Sequence, residues 1–216
     1  MAMFRHHVSL GAVISTAVTV VVYSYGLIVD PWDLGVLFAI CAFASMLPDF
    51  DSDSGLPFYL IFGATTLAVT GYVLYHALHD YPSNYYVLIG LPLAALIGYW
   101  SIVGKFVKRI TQHRGIWHSF PMLAVWSLGT FLLALYLGVE ETTAILYGAS
   151  MAAGFLSHLY LDEIWANVDQ DGNPFTYKKS LGTAMKFFSA SKSTNIAMYF
   201  LIAVFAYLSI QASTFI

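Results

Sequence analysis

The sequence predicts an all-α fold, a polytopic membrane helix bundle of about seven transmembrane helices with its N-terminus in the cytoplasm. Of its 216 residues, 59% are hydrophobic and only 10% are charged, whereas about a quarter of the residues in a soluble domain are charged. Apolar stretches of roughly the 20 residues that a helix needs to cross a bilayer recur along the chain. Basic residues are confined to alternate connections between these stretches. Together these observations indicate a multi-pass integral membrane protein.

Seven apolar stretches are the candidate spans. They are continuously apolar rather than alternating, which favours helices over a barrel, because a helix pairs its backbone polar groups internally. The second stretch is short and ends at Pro48, whereas the other six are long enough to cross. In chain order the stretches are Val8 to Val29, Leu34 to Leu47, Leu56 to Leu78, Tyr85 to Val103, Ser119 to Gly138, Thr142 to Leu161 and Thr194 to Phe215.

The chain is expected to form one domain over residues 1–216, because it has no internal repeat and no low-complexity tract. Its first span is too long for a typical signal peptide, and no cleavage motif of small residues follows it, so we expect this span to be retained. Cys41 is the only cysteine. An intramolecular disulfide is therefore impossible.

The basic residues predict the orientation. With seven helices, the N-terminus and the second, fourth and sixth connections lie on one side, and every Lys and Arg falls there. These residues are Arg5, Lys105, Lys108, Arg109, Arg114, Lys178, Lys179, Lys186 and Lys192. The opposite connections carry only acids, so the positive-inside rule makes the basic side cytoplasmic and leaves the C-terminus outside. Removing the short second span would scatter the basic residues over both sides, which supports its being a span.

Four clusters of polar residues lie at the cytoplasmic ends of the predicted spans. Such residues are costly at membrane depth and usually mark function. If the helix ends converge, these clusters form a pocket of imidazoles and carboxylates with few cations, which is typical of a divalent metal site. The clusters are His6 and His7; Asp49, Asp51 and Asp53; His113, Arg114 and His118; and His158 and Asp162.

The spacing within the clusters suggests individual roles. His158 and Asp162 are four residues apart, so both can address one centre from a single helix face. Asp49 and Asp51 could chelate or bridge ions, and this mixture of donors suits Zn, Mn or Fe better than Ca. The planar guanidinium group of Arg114 matches a phosphate or carboxylate group on a substrate.

Hydrogen-bond partners of the histidines are also expected. Ser119 and Ser157 neighbour two of the histidines in the sequence and could orient them through hydrogen bonds.

These residue patterns also allow other interpretations. A lone histidine such as His118 is more often an interfacial polar residue than a ligand, and only the coincidence of four clusters favours metal. The run of aspartates also mimics the start of a calcium loop, but Ser54 stands where the loop glycine belongs and Leu60 where its terminal Glu belongs.

Two further polar regions have simpler expected roles. His76, His79 and Asp80 are expected to be solvated residues on the outer face. The basic residues from Lys178 to Lys192 are expected to contact anionic headgroups. Within that connection, Leu181 to Ala190 could lie as an interfacial helix.

The order and spacing of four motifs carry a family resemblance. A histidine near the start, L-P-D-x-D, H-R-G-x-x-H-S and G-x-x-S-H-x-x-x-D follow one another from His7 to about Asp162. This set resembles the bacterial YdjM-like family of inner-membrane proteins, which are described as metal-dependent hydrolases. By motif position the resemblance implies seven metal ligands, namely His7, Asp49, Asp51, His113, His118, His158 and Asp162.

The chain departs from the family pattern at two positions. Trp117 stands where members usually have Thr, which removes a hydroxyl near the site. Ser52 stands where some members have a histidine. The number of ligands is therefore open, with Asp53 as a possible substitute.

The leading hypothesis is a membrane-bound metal-dependent hydrolase that cleaves a phosphoester of a lipid or lipid-linked substrate at the cytoplasmic interface. Two or more divalent ions, with Zn favoured over Mn or Fe, would activate water. Arg114 would steady the phosphoryl group, and Asp51 or Asp53 would accept the proton. Membrane lipid is the expected partner, no nucleic acid is expected, and the oligomeric state is left open.

Two alternatives use the same ligands. One is a divalent-metal transporter or sensor, although transport sites usually lie near the bilayer midplane and these ligands collect at one end. The other is a membrane scaffold with a structural metal, which a closed coordination shell would favour.

Overall fold

The computed structural model describes residues 4–51, 56–105, 117–166 and 185–214, and all regular elements in these ranges are helices. The predicted all-α class is confirmed, and each predicted span corresponds to one helix. The seven helices are α1 (Phe4–Ser24), α2 (Pro31–Ala44), α3 (Leu56–Asp80), α4 (Tyr85–Gly98), α5 (Phe120–Tyr136), α6 (Glu141–Ala166) and α7 (Lys192–Thr214). A short 3₁₀ helix, Leu47–Asp51, follows α2, and a π-helical turn, Tyr99–Val103, continues α4.

Four helical stretches within the described residues are long and apolar enough to cross a membrane. They are Arg5–Ser24, Tyr85–Val103, Glu141–Ala166 and Lys192–Ser213. Helices α2 and α5 are apolar but have only 14 and 17 residues, fewer than the roughly 20 needed for a perpendicular crossing. That all seven helices span the bilayer, with the N-terminus in the cytoplasm, stays a prediction.

Local sequence signals set the starts of three helices. The side chains of Asp30, Asn84 and Ser119 accept hydrogen bonds from the backbone N–H of Asp33, Val87 and Met122, respectively. Each bond satisfies a donor that the first turn leaves without a helical partner. Proline also stands in the first turn of α2 and of α5, where its missing N–H costs nothing.

The described residues group into two compact units, the first lying within residues 1–48 and 114–216 and the second within residues 49–113. In the first unit, α6 is the central helix and packs against α1, α2 and α5, while α7 packs against α5. Small residues permit this close approach. A Cβ added at Gly154 of α6 would collide with the carbonyl oxygen of Cys41 on α2, and one at Gly148 would come within 3.0 Å of the Ser127 carbonyl oxygen on α5.

The first unit has two hydrophobic clusters, one at each end of α6. Leu37, Phe131 and Tyr147 belong to the first cluster. Phe155 and Leu159 lie in the second, together with Leu47, Met122 and Met151. The second cluster surrounds the part of α6 that carries His158 and Asp162.

The second unit contains α3, α4 and the π-helical turn. The Phe62 ring of α3 contacts the rings of Tyr99 and Trp100, with centroids 5.1 and 5.2 Å away. Gly104 permits this contact, because a Cβ there would come within 3.0 Å of the Phe62 ring.

Two sequence-based expectations differ from the structure. His6 and His7 were expected ahead of the first span, but α1 begins at Phe4 and includes both. The interfacial helix expected from Leu181 to Ala190 is wrong for its described part, residues 185–190, which are not helical. Instead, Lys186 pairs with Ser119 in an isolated parallel bridge, and its carbonyl oxygen accepts a 3.0 Å hydrogen bond from the Phe120 N–H.

Candidate metal centre

Two helices and one connection bring four of the predicted ligands together at one end of the first unit. His7 lies in the second turn of α1, and His118 precedes the cap of α5. His158 and Asp162 lie one turn apart near the end of α6. This end is where α1 and α5 begin and where α2 and α6 end.

The carboxylate of Asp162 is the centre of the group. His7 Nε2 lies 3.4 Å from Oδ1, while His118 Nε2 and His158 Nε2 lie 3.7 and 3.8 Å from Oδ2. All four residues are buried: each histidine is 1% exposed and Asp162 is 6% exposed. Three imidazoles and one carboxylate therefore share a small volume that excludes bulk water.

The backbone of Ser45 fixes the tautomer of His158. The Nδ1 atom of His158 lies 2.7 Å from the Ser45 carbonyl oxygen. Because a carbonyl oxygen can only accept a hydrogen bond, Nδ1 must carry a proton. In the neutral ring the lone pair is therefore on Nε2, on the side of Asp162. Metal-binding histidines commonly have this arrangement, with the second ring nitrogen donating to a carbonyl or carboxylate.

Close packing around Ser45 brings α1, α2 and α6 to the centre. A Cβ added at Gly11 of α1 would collide with the Ser45 hydroxyl, and Gly154 of α6 contacts Cys41 and Ala44 of α2 in the same way. The Ser45 hydroxyl itself donates to the Ala42 carbonyl oxygen at 2.7 Å. The positions of His7 and His158 therefore depend on two helix contacts that only glycine allows.

The group has the chemistry to hold a divalent cation. The Nε2-to-oxygen distances of 3.4 to 3.8 Å are too long for strong hydrogen bonds. They are close to the separation of about 3.3 Å between two ligand atoms of a tetrahedral ion with bonds of 2.0–2.1 Å. Neither ring nitrogen of His7 makes a hydrogen bond within the described residues, although the ring is buried. A buried polar group of this kind is costly unless it is bound.

The remaining predicted site residues are not all described. Asp49 and Asp51 belong to the second unit, on the 3₁₀ helix Leu47–Asp51, and their role as ligands stays a prediction. Asp53, His113 and Arg114 lie outside the described residues.

Both serines make hydrogen bonds with the backbone. The Ser157 hydroxyl donates to the Gly154 carbonyl oxygen at 2.7 Å, and the Ser119 hydroxyl caps α5 by accepting from Met122 N–H at 3.4 Å. A third serine, Ser45, orients His158. The sequence gives no signal for that role, because it depends on the backbone carbonyl group and not on the side chain.

The cluster of His76, His79 and Asp80 lies in the second unit and is exposed, as expected. His79 Nδ1 is 2.9 Å from Asp80 Oδ1, and His76 Nδ1 is 3.6 Å from Asp80 Oδ2. The side chains of these three residues are 48 to 73% exposed, so water can solvate them.

Comparison with known proteins identifies one family. The family model described as YdjM inner membrane protein matches residues 1–215, which is almost the whole chain. No match is found among curated proteins or among solved structures.

Proposed function

Since the chain belongs to the YdjM inner membrane protein family, we propose that it is a membrane-bound metal-dependent hydrolase that cleaves a phosphoester of a lipid or lipid-linked substrate. The observation that carries this proposal is the convergence of three buried imidazoles on the Asp162 carboxylate. His and Asp donors in this number are typical of Zn and, with more carboxylate ligands, of Mn or Fe.

The proposed site residues have two kinds of role: some bind metal, and others bind the substrate or accept a proton. His7, His118, His158 and Asp162 would hold divalent metal, and Asp49, Asp51 and His113 are the further ligands implied by the family motifs. A bound divalent cation lowers the pKa of water toward neutrality and stabilises charge on phosphoryl oxygens. Burial of the four residues strengthens these electrostatic interactions, because little water remains to screen them.

Two sequence-predicted groups would act on the substrate itself. Arg114 would bind the phosphoryl oxygens through its planar guanidinium group. Asp51 or Asp53 would accept the proton of the attacking water. The site's place at a helix end, where lipid headgroups lie, favours an amphiphilic substrate, and the positive-inside distribution of Lys and Arg favours the cytoplasmic leaflet.

The proposal is tested by hydrolysis assays on the purified full-length chain, stripped of metal and reloaded with Zn²⁺ or Mn²⁺. We expect cleavage of a phospholipid or a generic phosphodiester, and we expect His158→Ala to abolish it. His76→Ala is the matched control, because that histidine is exposed and lies in the second unit. Turnover that persists in His158→Ala would overturn the proposal.

The transporter alternative makes a different prediction. Proteoliposomes containing the chain would then accumulate Zn²⁺ or Mn²⁺ without hydrolysing any phosphoester. The position of the four ligands at a helix end, rather than near the middle of α6, favours hydrolysis, since transport sites usually lie near the midplane.

A further inference from the structure

The two oxygens of the Asp162 carboxylate face different histidines. Oδ1 lies 3.4 Å from His7 Nε2, whereas Oδ2 lies 3.7 Å from His118 Nε2 and 3.8 Å from His158 Nε2. One oxygen is therefore nearest to one histidine, and the other oxygen is nearest to two. A carboxylate whose two oxygens have different nearest donors is suited to bridging two cations.

The ring geometry separates His7 from His158. Their rings are stacked, with centroids 3.7 Å apart and planes inclined by only 13°. The lone pair of an imidazole nitrogen lies in the ring plane, so two stacked and nearly parallel rings hold their lone pairs in separate planes. A single ion equidistant from both Nε2 atoms would lie out of each plane by about half the stacking distance. With a metal–nitrogen bond of about 2.0–2.1 Å, that ion would sit almost over each nitrogen instead of in front of its lone pair.

His118 is oriented differently. Its ring is inclined by 62° to that of His158, with centroids 5.4 Å apart, so the lone pairs of these two rings can converge. Both Nε2 atoms also lie nearest the same oxygen of Asp162. His118 and His158 can therefore serve one ion together, whereas His7 and His158 cannot in this arrangement.

We propose that Asp162 bridges two divalent metal ions, one held by His7 and Oδ1 and the other held by His118, His158 and Oδ2. This inference deepens the proposed function and rests on it, because it takes these four residues to be a metal centre. The bridge accounts for the long contacts from one carboxylate to three imidazoles. It also leaves coordination positions on both ions for water, substrate and the further carboxylates implied by the family motifs.

The test is metal stoichiometry, measured by elemental analysis of the full-length chain reloaded with Zn²⁺ and freed of excess metal. We expect two ions per chain. His7→Ala should retain one ion, and His118→Ala should also lose one, whereas the exposed-residue control His76→Ala should retain both. Helical content and elution volume should be the same for all the variants, which shows that a lost ion reflects a lost ligand.

A second measurement uses the unaltered chain and so does not depend on the folding of any variant. Two Mn²⁺ ions bridged by a carboxylate are about 3.5–4 Å apart in two-metal enzymes and give an exchange-coupled electron paramagnetic resonance spectrum. We expect this spectrum at full loading. The six-line spectrum of isolated Mn²⁺ at full loading, or one Zn²⁺ per chain, would overturn the proposal that Asp162 bridges two ions.

The outcomes also separate the bridge from the proposed function. One ion per chain with phosphoester hydrolysis would overturn the bridge and leave the hydrolase standing. Two coupled ions without hydrolysis of any phosphoester would support the bridge and overturn the hydrolase. Absence of tight metal binding would overturn both.

Discussion

The ring of His158 donates a hydrogen bond to the backbone of Ser45, with its Nδ1 atom 2.7 Å from the carbonyl oxygen. Ser45 directly follows α2, so the contact between α2 and α6 directs the Nε2 atom of His158 toward Asp162. Gly154 permits this contact, and Gly11 permits the contact of α1 with Ser45. Both glycines therefore support the site, although they bear no side chain. Variants of these glycines test the relationship directly.

Gly154→Ala should destabilise the chain and weaken metal binding. The added Cβ would collide with the Cys41 carbonyl oxygen and approach the Ala44 Cβ to 2.8 Å, so α2 and α6 must move apart. Overpacking of this kind typically costs about 1–3 kcal/mol. Thermal unfolding and Zn²⁺ titration measure the two effects. Gly35→Ala is the control on α2, because a Cβ there meets nothing within 4 Å; equal losses in both variants would contradict the prediction.

Gly11→Ala should have a similar effect, and a second substitution should reverse it. The Cβ added at Gly11 would collide with the Ser45 side chain, so Ser45→Gly in the same chain removes the obstacle. The Ser45 carbonyl group stays in place in that double variant. We expect its Zn²⁺ affinity to exceed that of Gly11→Ala alone, and an unchanged affinity would show that the collision is not the cause.

Tyr147→Phe should destabilise the opposite end of the first unit without affecting the metal centre. The Tyr147 hydroxyl donates to Asp33 Oδ1 at 2.8 Å and joins α6 to the first turn of α2. Loss of a hydrogen bond to a charged group typically costs about 1.5–3 kcal/mol. Tyr136→Phe is the control, because Tyr136 is 86% exposed. Thermal unfolding should separate the two variants, while elemental analysis should find the same Zn²⁺ content in both.

The sequence predicted the helices, and four of its candidate ligands are residues that the structure brings together. Hydrophobic stretches are direct evidence of helices in lipid, and the spacing of His158 and Asp162 defines a shared helix face. Helix ends were less predictable: α1 begins at Phe4, and α6 continues beyond Asp162 to Ala166. Polar residues at a membrane interface fit both a helix and the connection beside it, so composition alone does not set the boundary.

The supporting contacts of the site could not be predicted from the sequence. The bond from His158 to Ser45 uses a backbone carbonyl group, which every residue possesses. The stacking of His7 on His158 depends on the distance between α1 and α6, which in turn depends on the packing at Gly11 and Gly154. Such contacts require the three-dimensional arrangement of helices that are far apart in the chain.

Glu140 should make stability depend on pH in the acidic range. The backbone N–H groups of Thr142 and Thr143 bond to its carboxylate and hold its pKa below the ordinary value of 4.5. Because the pKa is lower in the folded state, this contribution is fully present above the ordinary value and is lost as the pH falls through the folded-state pKa. Thermal unfolding from pH 6 to about pH 3 should therefore decline less for Glu140→Gln than for the unaltered chain. Parallel declines would contradict this role of Glu140.

Removal of metal should lower the stability of the folded chain. A ligand that binds only the folded state stabilises it by an amount that grows with its concentration, about 2.7 kcal/mol at one hundred times the Kd. We therefore expect the Tm to rise as Zn²⁺ is added to the metal-stripped chain and to fall again with a chelator. Asp162→Asn should lack this response, because it removes the charge on which His7, His118 and His158 converge. His76→Ala should retain the response, since its ring lies in the exposed cluster of the second unit. A Zn²⁺-dependent rise of equal size in Asp162→Asn would place the bound metal elsewhere in the chain.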